Sequence, residues 1–319
     1  MKKALFLLFS FLFFEFVFGE YKKIDGSKLI SISYTPNADY DASEIVSPEN
    51  LSQEMLAYYS WFASYGYCQD VDIPVLCCKN YYDFFNKKWT IVDKTSTTKY
   101  YNYNFVLWRN DEYKKYILGF PGTRSDQELI DEGAHMNLVN YDGVDNGLKV
   151  VAYWYNVVVE IRNLIFSSKN LKDIEAHPGY QFILTGHSLG GSVASIAIYD
   201  AVTKNYINKN NNPALITFGQ PRSGNEKWVL DFNTKIKNVI RVVRDGDMIP
   251  TIPYSAFSNP YRHLGGLVLL NKNMNALTYC PKDIGEDYPD KECQSSKSTD
   301  MQYHKHYFNP DTELGLRCA

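Results

Sequence analysis

Little in this sequence would build a metal centre, a nucleic-acid surface or a membrane bundle. Its six cysteines are Cys68, Cys77, Cys78, Cys280, Cys293 and Cys318, with no C-x-x-C pair and no interleaved histidine cluster among them. That argues against a structural zinc site, and no metal or organic cofactor is expected. Lys and Arg number 33 against 36 Asp and Glu, for a net charge of −3, and no long basic stripe appears. A nucleic-acid partner is therefore not expected. No internal repeat is visible, which excludes solenoid architectures. The only long apolar run is Ala4–Phe18, broken at Glu15. It is shorter than the roughly 20 residues a membrane helix needs. Lys2 and Lys3 precede it, and Val17 and Gly19 offer small residues for cleavage. Residues 1–19 are therefore expected to be a signal peptide, and the protein to be secreted. An even number of cysteines in an exported chain favours disulfides.

The remaining 300 residues, 20–319, divide in two. Residues 20–50 are polar, with scattered Pro, Asp and Ser, and read as a propeptide or an N-terminal arm. Residues 51–319 suit one large domain. Met55, Leu56, Tyr59 and Phe62 fall at helical spacing from Ser52, ending near Tyr65-Gly66. Short apolar runs occur at Phe105–Trp108, Tyr116–Phe120, Phe182–Leu184 and Leu215–Phe218, and a fifth, Val239–Val243, is interrupted by Arg241. Lack of strict alternation suits strands covered on both faces. Helical stretches at Leu148–Phe166 and Leu189–Lys204 lie between them. Strands alternating with helices predict an α/β fold with a mainly parallel central sheet. Residues 208–213 read as a polar loop, and 271–303 as an irregular surface region containing cysteine.

The chemistry centres on Gly186-His187-Ser188-Leu189-Gly190, a G-x-S-x-G pattern that leaves an apolar strand and opens a helix. A serine on so sharp a turn needs neighbours without side chains, which Gly186 and Gly190 provide. The turn also aims the unpaired N–H groups of a helix N-terminus at one point. The N–H of Leu189 is thus a candidate oxyanion-hole donor, with Ser188 the candidate nucleophile. A serine hydroxyl needs a base, and the base needs an orienting carboxylate. In a strand-turn-helix serine hydrolase the acid and then the histidine come after the serine in the chain. Asp245 and Asp247 both lie just beyond the Val239–Val243 run. His263, His304 and His306 come after them, whereas His135 and His177 precede the serine and read as surface or lid residues. His187, inside the elbow, suits packing and hydrogen bonding behind the nucleophile.

Several ordered motifs resemble the class 3, or fungal-type, lipases of the α/β-hydrolase superfamily. Thr185–Gly191 resembles their elbow and Thr217-Phe218-Gly219-Gln220-Pro221-Arg222-Ser223-Gly224-Asn225 the strand and loop after it. Asp247-Met248-Ile249-Pro250 resembles the acid segment. Phe120-Pro121-Gly122-Thr123-Arg124-Ser125 is similar to the segment bearing a second oxyanion donor, and His304-Lys305-His306-Tyr307-Phe308 to H-x-x-Y-F. The resemblance covers residues 50–319. It departs at Pro121, where the family has Arg, at Asn146-Gly147, which replaces His-x-Gly-Phe, and at the added His306.

The resemblance implies an α/β-hydrolase fold with helices on both faces of the sheet. It also implies a triad of Ser188, Asp247 and His304 and an oxyanion hole of Thr123 and Leu189. His263 then takes a structural position. A Cys68–Cys318 disulfide is implied, leaving Cys280–Cys293 as the local pair. So is a lid over about 125–144, with Leu129, Ile130, Met136, Leu138 and Val139 on its apolar face and Gly133 and Gly143 as hinges. The expected activity is secreted serine carboxylic ester hydrolysis through an acyl-enzyme, most simply on triacylglycerols at a lipid–water interface. An esterase for soluble or cell-wall esters is the alternative in the same chemistry. A non-catalytic lipid-binding protein on a hydrolase fold is the alternative outside it.

Overall fold

A computed structural model describes residues 42–65, 89–95, 103–123, 136–253, 260–280 and 300–308. The expected signal peptide, Leu129 and Ile130, His135 and every cysteine but Cys280 lie outside these residues. Cys280 is buried and disulfide-bonded to a partner that also lies outside them.

In chain order the elements begin with helix α1 (Gln53–Tyr65) and strands β1 (Thr90–Thr95), β2 (Phe105–Asn110), β3 (Lys115–Phe120), β4 (Leu138–Asn140) and β5 (Lys149–Val151). Helices α2 (Ala152–Ile165) and α3 (Ser168–Ala176) precede β6 (Gln181–His187), α4 (Leu189–Thr203), β7 (Ala214–Phe218) and β8 (Gly224–Asn225). Helix α5 (Glu226–Lys235), β9 (Asn238–Arg244), β10 (Tyr261–Arg262), β11 (Leu267–Leu270), β12 (Leu277–Cys280) and the short α6 (Gln302–Lys305) follow, with short 3-10 turns between some of the elements.

Eight strands form one sheet in the order β1-β2-β3-β6-β7-β9-β11-β12. The centre, from β3 through β11, is parallel, and both edges are antiparallel. All five apolar runs are strands of this sheet. Side chains alternate across a strand, so each run feeds two cores. Phe105, Leu107, Tyr116, Leu118, Phe182 and Leu184 enter one, beneath α2, α4 and α5. Val106, Trp108, Ile117, Ile183, Ile216 and Val242 enter the other, beneath α1. With helices on both faces, this is the architecture of the α/β-hydrolase fold. Arg241 is tolerated inside β9 because its buried Nε donates to the Leu264 carbonyl at 2.7 Å.

The elements arise from local sequence. Trp154, Val157, Val158, Ile161 and Ile165 make one buried stripe on α2. Helix α4 is buried all round from Leu189 to Ala201, and its small residues let it lie close against the sheet. The helix expected from Leu148 starts later. Lys149–Val151 forms β5 instead, because Val150 pairs with Val139 on one side and Gly224 on the other. Cross-strand pairing of β-branched residues overrides the helical period there. The polar stretch at 208–213 holds a 3-10 turn capped by Asn208, and β12 emerges from the region read as irregular.

Strands β10-β8-β5-β4 form a second, small antiparallel sheet. This sheet takes up part of the segment expected to be a lid. Met136, Leu138 and Val139 pack on the main core, and Tyr261 Oη donates to the Met136 carbonyl at 2.7 Å. Tyr141 donates to Asp200, which is buried in α4, while Lys204 pairs with Asp142 at 2.8 Å. Residues 136–144 are thus fixed in the body of the domain and Gly143 ends a pinned turn, so these residues do not form a lid. The remainder of the expected lid, 125–135 with Gly133, lies outside the described residues. Nearer the start of the chain, Val46 exchanges two hydrogen bonds with the Gln181 amide, at 2.8 and 2.9 Å, so the last part of the 20–50 stretch packs on the domain.

Candidate active site

Strands β3, β6 and β9 are parallel, so their C-terminal ends lie along one edge of the sheet. Thr123 comes just after β3, Ser188 after β6 and Asp247 after β9. Ligand sites of open parallel sheets lie outside these strand ends.

Ser188 has φ 56° and ψ −128°, a conformation costly for any residue with a Cβ. The turn is held by Ser188 N–H donating to the Phe218 carbonyl at 2.8 Å and by Gly191 N–H returning to Ser188 O at 3.0 Å. Its tightness explains the flanking glycines. A Cβ on Gly186 would sit 2.3 Å from Gly190 C, and one on Gly190 would sit 2.4 Å from the Phe120 carbonyl. The G-x-S-x-G spacing thus reflects backbone packed directly on backbone.

Ser188 Oγ lies 2.9 Å from His304 Nε2. On the other side of the ring, His304 Nδ1 lies 3.0 and 2.9 Å from the two oxygens of Asp247. All three side chains are buried. Asp247 also accepts from Ile249 N–H at 2.9 Å and from Tyr307 Oη at 2.6 Å. A carboxylate with three donors and no Lys or Arg salt bridge among the described residues stays a strong acceptor for the imidazole. Such a chain can move the serine proton to Nε2 while the carboxylate holds the ring in one tautomer.

The competing residues are placed elsewhere. Asp245 lies at the strand end, where its N–H donates to Leu270 O at 2.8 Å. His306 Nε2 is 2.6 Å from Gln302 Oε1, and His263 Nε2 is 2.7 Å from the Pro250 carbonyl. Burial, with Arg241 and Arg222 nearby, pushes His263 well below the ordinary histidine range. His187 lies behind the site, its Nε2 at 2.9 Å from the His304 carbonyl and its ring centroid 4.6 Å from that of His304. Burial, and next the neighbouring His304, pushes His187 well down, so it donates to that carbonyl as a neutral ring. His177 caps the C-terminal end of α3 and is no part of this cluster.

Leu189 is the first residue of α4, so its N–H has no acceptor within the helix. Thr123 is buried in the turn after β3, the strand beside β6. Tyr103 Oη donates to the Pro121 carbonyl at 2.5 Å, which ties down the segment leading to Thr123. Both candidate donors leave adjacent strands at the same end.

Two contributors escape sequence reasoning. Gly219 (φ +58°) packs so closely on the site that a Cβ would lie 2.8 Å from Asp247 Oδ2 and 2.9 Å from His304 Nδ1. Its signal is the glycine of Thr217-Phe218-Gly219. Tyr307 sets the register of the histidine segment, yet nothing in the sequence announces its bond to Asp247. Burial, and then Asp247, raises its phenol well above the ordinary range and keeps it a donor. Among the described residues no group of three or more His, Cys, Asp or Glu could hold a metal.

The chain is similar to known proteins both in sequence and in structure. Residues 117–257 match the family described as Lipase (class 3). The chain is 27% identical to a Rhizopus niveus lipase over 286 residues, covering 88% of this chain and 69% of that one. It is 27% identical to a Rhizomucor miehei lipase over 271 residues, covering 82% and 71%. A solved triacylglycerol lipase, whose catalytic centre is described as a serine protease triad, superposes with a TM-score of 0.70 at 26% identity, covering 84% of this chain and 98% of its own. The family match begins in β3 and ends beyond Asp247, so the stretch that is similar to the class 3 lipases takes in the elbow, its supporting loops and Asp247.

Proposed function

We propose that this protein is a secreted triacylglycerol lipase that works through Ser188, His304 and Asp247. The observation that carries the reading is the unbroken hydrogen-bond chain from Asp247 through His304 to the strained Ser188. Ser188 Oγ attacks the ester carbonyl carbon while His304 Nε2 takes its proton. Charge developing on the carbonyl oxygen meets the N–H groups of Leu189 and Thr123, each such donor being worth roughly 10²–10³ in turnover. His304 then protonates the departing alcohol, which leaves Ser188 acylated. Water, deprotonated by the same nitrogen, releases the fatty acid and restores the serine. Asp247 stabilises the imidazolium that forms in each half-reaction. The apolar segment Ala4–Phe18 behind Lys2 and Lys3 supports export, and no helix among the described residues is long and apolar enough to cross a membrane.

A serine-directed phosphonate is expected to label Ser188 in the wild-type protein and to leave Ser188→Ala unmodified. Rates on p-nitrophenyl esters of several chain lengths, set beside emulsified triacylglycerol, then define the substrate. A steep rise once ester exceeds its solubility is the expected result for a lipase. Smooth saturation with no hydrolysis of the emulsion would instead identify an esterase for soluble esters. Failure to label at all would remove the catalytic reading.

A further inference from the structure

Asp247 and His304 come from segments 57 residues apart, and the ring must be held against the carboxylate to about half an ångström for transfer to proceed. His304 sits on α6, a helix of only four residues, too short to hold its own position. Something outside the helix has to fix it.

The structure assigns that task to Arg244, which we infer to be a positioning residue for the histidine. Arg244 ends β9, three residues before Asp247, and so belongs to the strand that carries the acid. Its backbone N–H donates to Tyr307 Oη at 3.0 Å, the same hydroxyl that donates to Asp247. Its guanidinium divides between two loops. Nη1 donates to the His306 carbonyl at 3.0 Å, with the Gln302 carbonyl 3.5 Å away, while Nε and Nη2 reach the Lys272 carbonyl at 2.8 and 2.6 Å. Its guanidinium carbon stands 5.1 Å from the ring centre of Tyr303, which Lys272 Nζ also approaches, at 5.4 Å. Tyr303 in turn presses on Gly246, where a Cβ would lie 2.9 Å from the ring.

Arg244 therefore touches Gln302, Tyr303, His306 and Tyr307, on both sides of His304. A planar fork can hold two loops at once because its N–H groups diverge at fixed angles. An ammonium on a flexible stem cannot. One of the carbonyls it holds, that of His306, caps the C-terminal end of α6, where partial negative charge favours a cation. The result is a clamp that ties the acid's strand to the histidine's helix and to the turn after β11.

The inference rests on the proposed hydrolase reading, and the test separates the two. Arg244→Gln and Arg244→Lys are to be assayed on a dissolved short-chain ester, with active sites counted by phosphonate titration. Both variants are expected to titrate fully, to keep KM within about twofold and to lose roughly 10–10² in kcat per titrated site, the loss that accompanies displacement of a reacting group. Tyr303→Leu, which removes the stacking but leaves the fork, is expected to lose less. A merely structural arginine would give a lower titratable fraction with wild-type kcat at each surviving site. That outcome, or Arg244→Lys at wild-type kcat, would overturn the clamp. If the wild-type protein itself takes up no phosphonate, the hydrolase reading fails and the clamp has nothing to position.

Discussion

The two ends of β3 and β6 carry nearly the same side chains and do different things with them. At the C-terminal end a carboxylate, an imidazole and a hydroxyl stand in series, Asp247 to His304 to Ser188. At the N-terminal end Asp173, His177 and Tyr116 also meet. There Tyr116 Oη donates to Asp173 Oδ2 at 2.7 Å and lies 3.0 Å from His177 Nδ1. That nitrogen is also 2.7 Å from the Asp173 backbone carbonyl, and Arg109 holds the carboxylate at 2.6 Å. The histidine there is not placed between acid and hydroxyl, and the acid's charge is already matched by a guanidinium. Burial, together with Asp173, raises the Tyr116 phenol, so it stays protonated. On the proposed reading the first cluster passes a proton, whereas the other ties α3 to β3. Connectivity and counter-charge, and not residue type, separate a catalytic constellation from a structural one.

The largest expected difference comes from cutting each chain. Ser188→Ala or His304→Ala is expected to lower kcat by on the order of 10⁶, as in a comparable triad. His177→Ala is expected to leave kcat within about twofold and to lower stability only, as judged by Tm beside kcat on a dissolved ester. His306→Ala and His263→Ala belong with His177 in activity. A dead His306→Ala with an active His304→Ala would move the base by two residues and break the comparison.

A smaller effect tests whether crowding is confined to one end. Gly219 has φ +58° and touches the triad, whereas Gly179 has φ +85° and open space around it. Alanine at either position costs backbone strain of about 1–3 kcal/mol. Only Gly219→Ala is expected to lose roughly 10² in kcat, because its methyl displaces Asp247 and His304. Equal kcat in the two variants would mean that the site absorbs the methyl.

The smallest effect lies in the pH dependence of stability. Burial holds His187 and His263 well below the ordinary range, so both stay neutral in the folded protein as the solution is acidified. In the unfolded chain they titrate near about 6.5. Below that pH the unfolded state binds protons that the folded state does not, and stability falls as pH falls. Tm is therefore expected to decline below about pH 6.5, and His263→Gln to flatten the decline by about one proton. Asp200, whose carboxyl burial raises, acts in the opposite sense but equally in both proteins, so the difference isolates the histidine. The phenols of Tyr307, Tyr141 and Tyr199, all raised chiefly by burial, give the other limb. Stability is lost as pH rises past about 10, where only the unfolded chain releases those protons. Identical acid limbs for parent and His263→Gln would show that the buried ring is not the source.

The five apolar runs, α1, α4 and the elbow were legible in the sequence because each depends on neighbours a few residues away. A strand's alternation, a helix's period and the clash at Gly186 and Gly190 are all local quantities. So was the order of serine, acid and histidine, once a strand-turn-helix serine was recognised. The choices that depend on distance in space came only from the family resemblance, which favoured Asp247 over Asp245 and His304 over His306. Local chemistry alone does not separate the members of either pair. The fold separates them by bringing Asp247 to a ring 57 residues away and that ring to a serine 116 residues away. The small sheet was hidden for the same reason, since β5 and β8 are two or three residues long and are joined by a pairing that spans more than 70 positions. Local chemistry determined that this chain would make a serine elbow on a parallel sheet. Which acid, which histidine and which arginine complete it was decided by long-range packing, because only the closed sheet brings those strand ends and loops within hydrogen-bond reach.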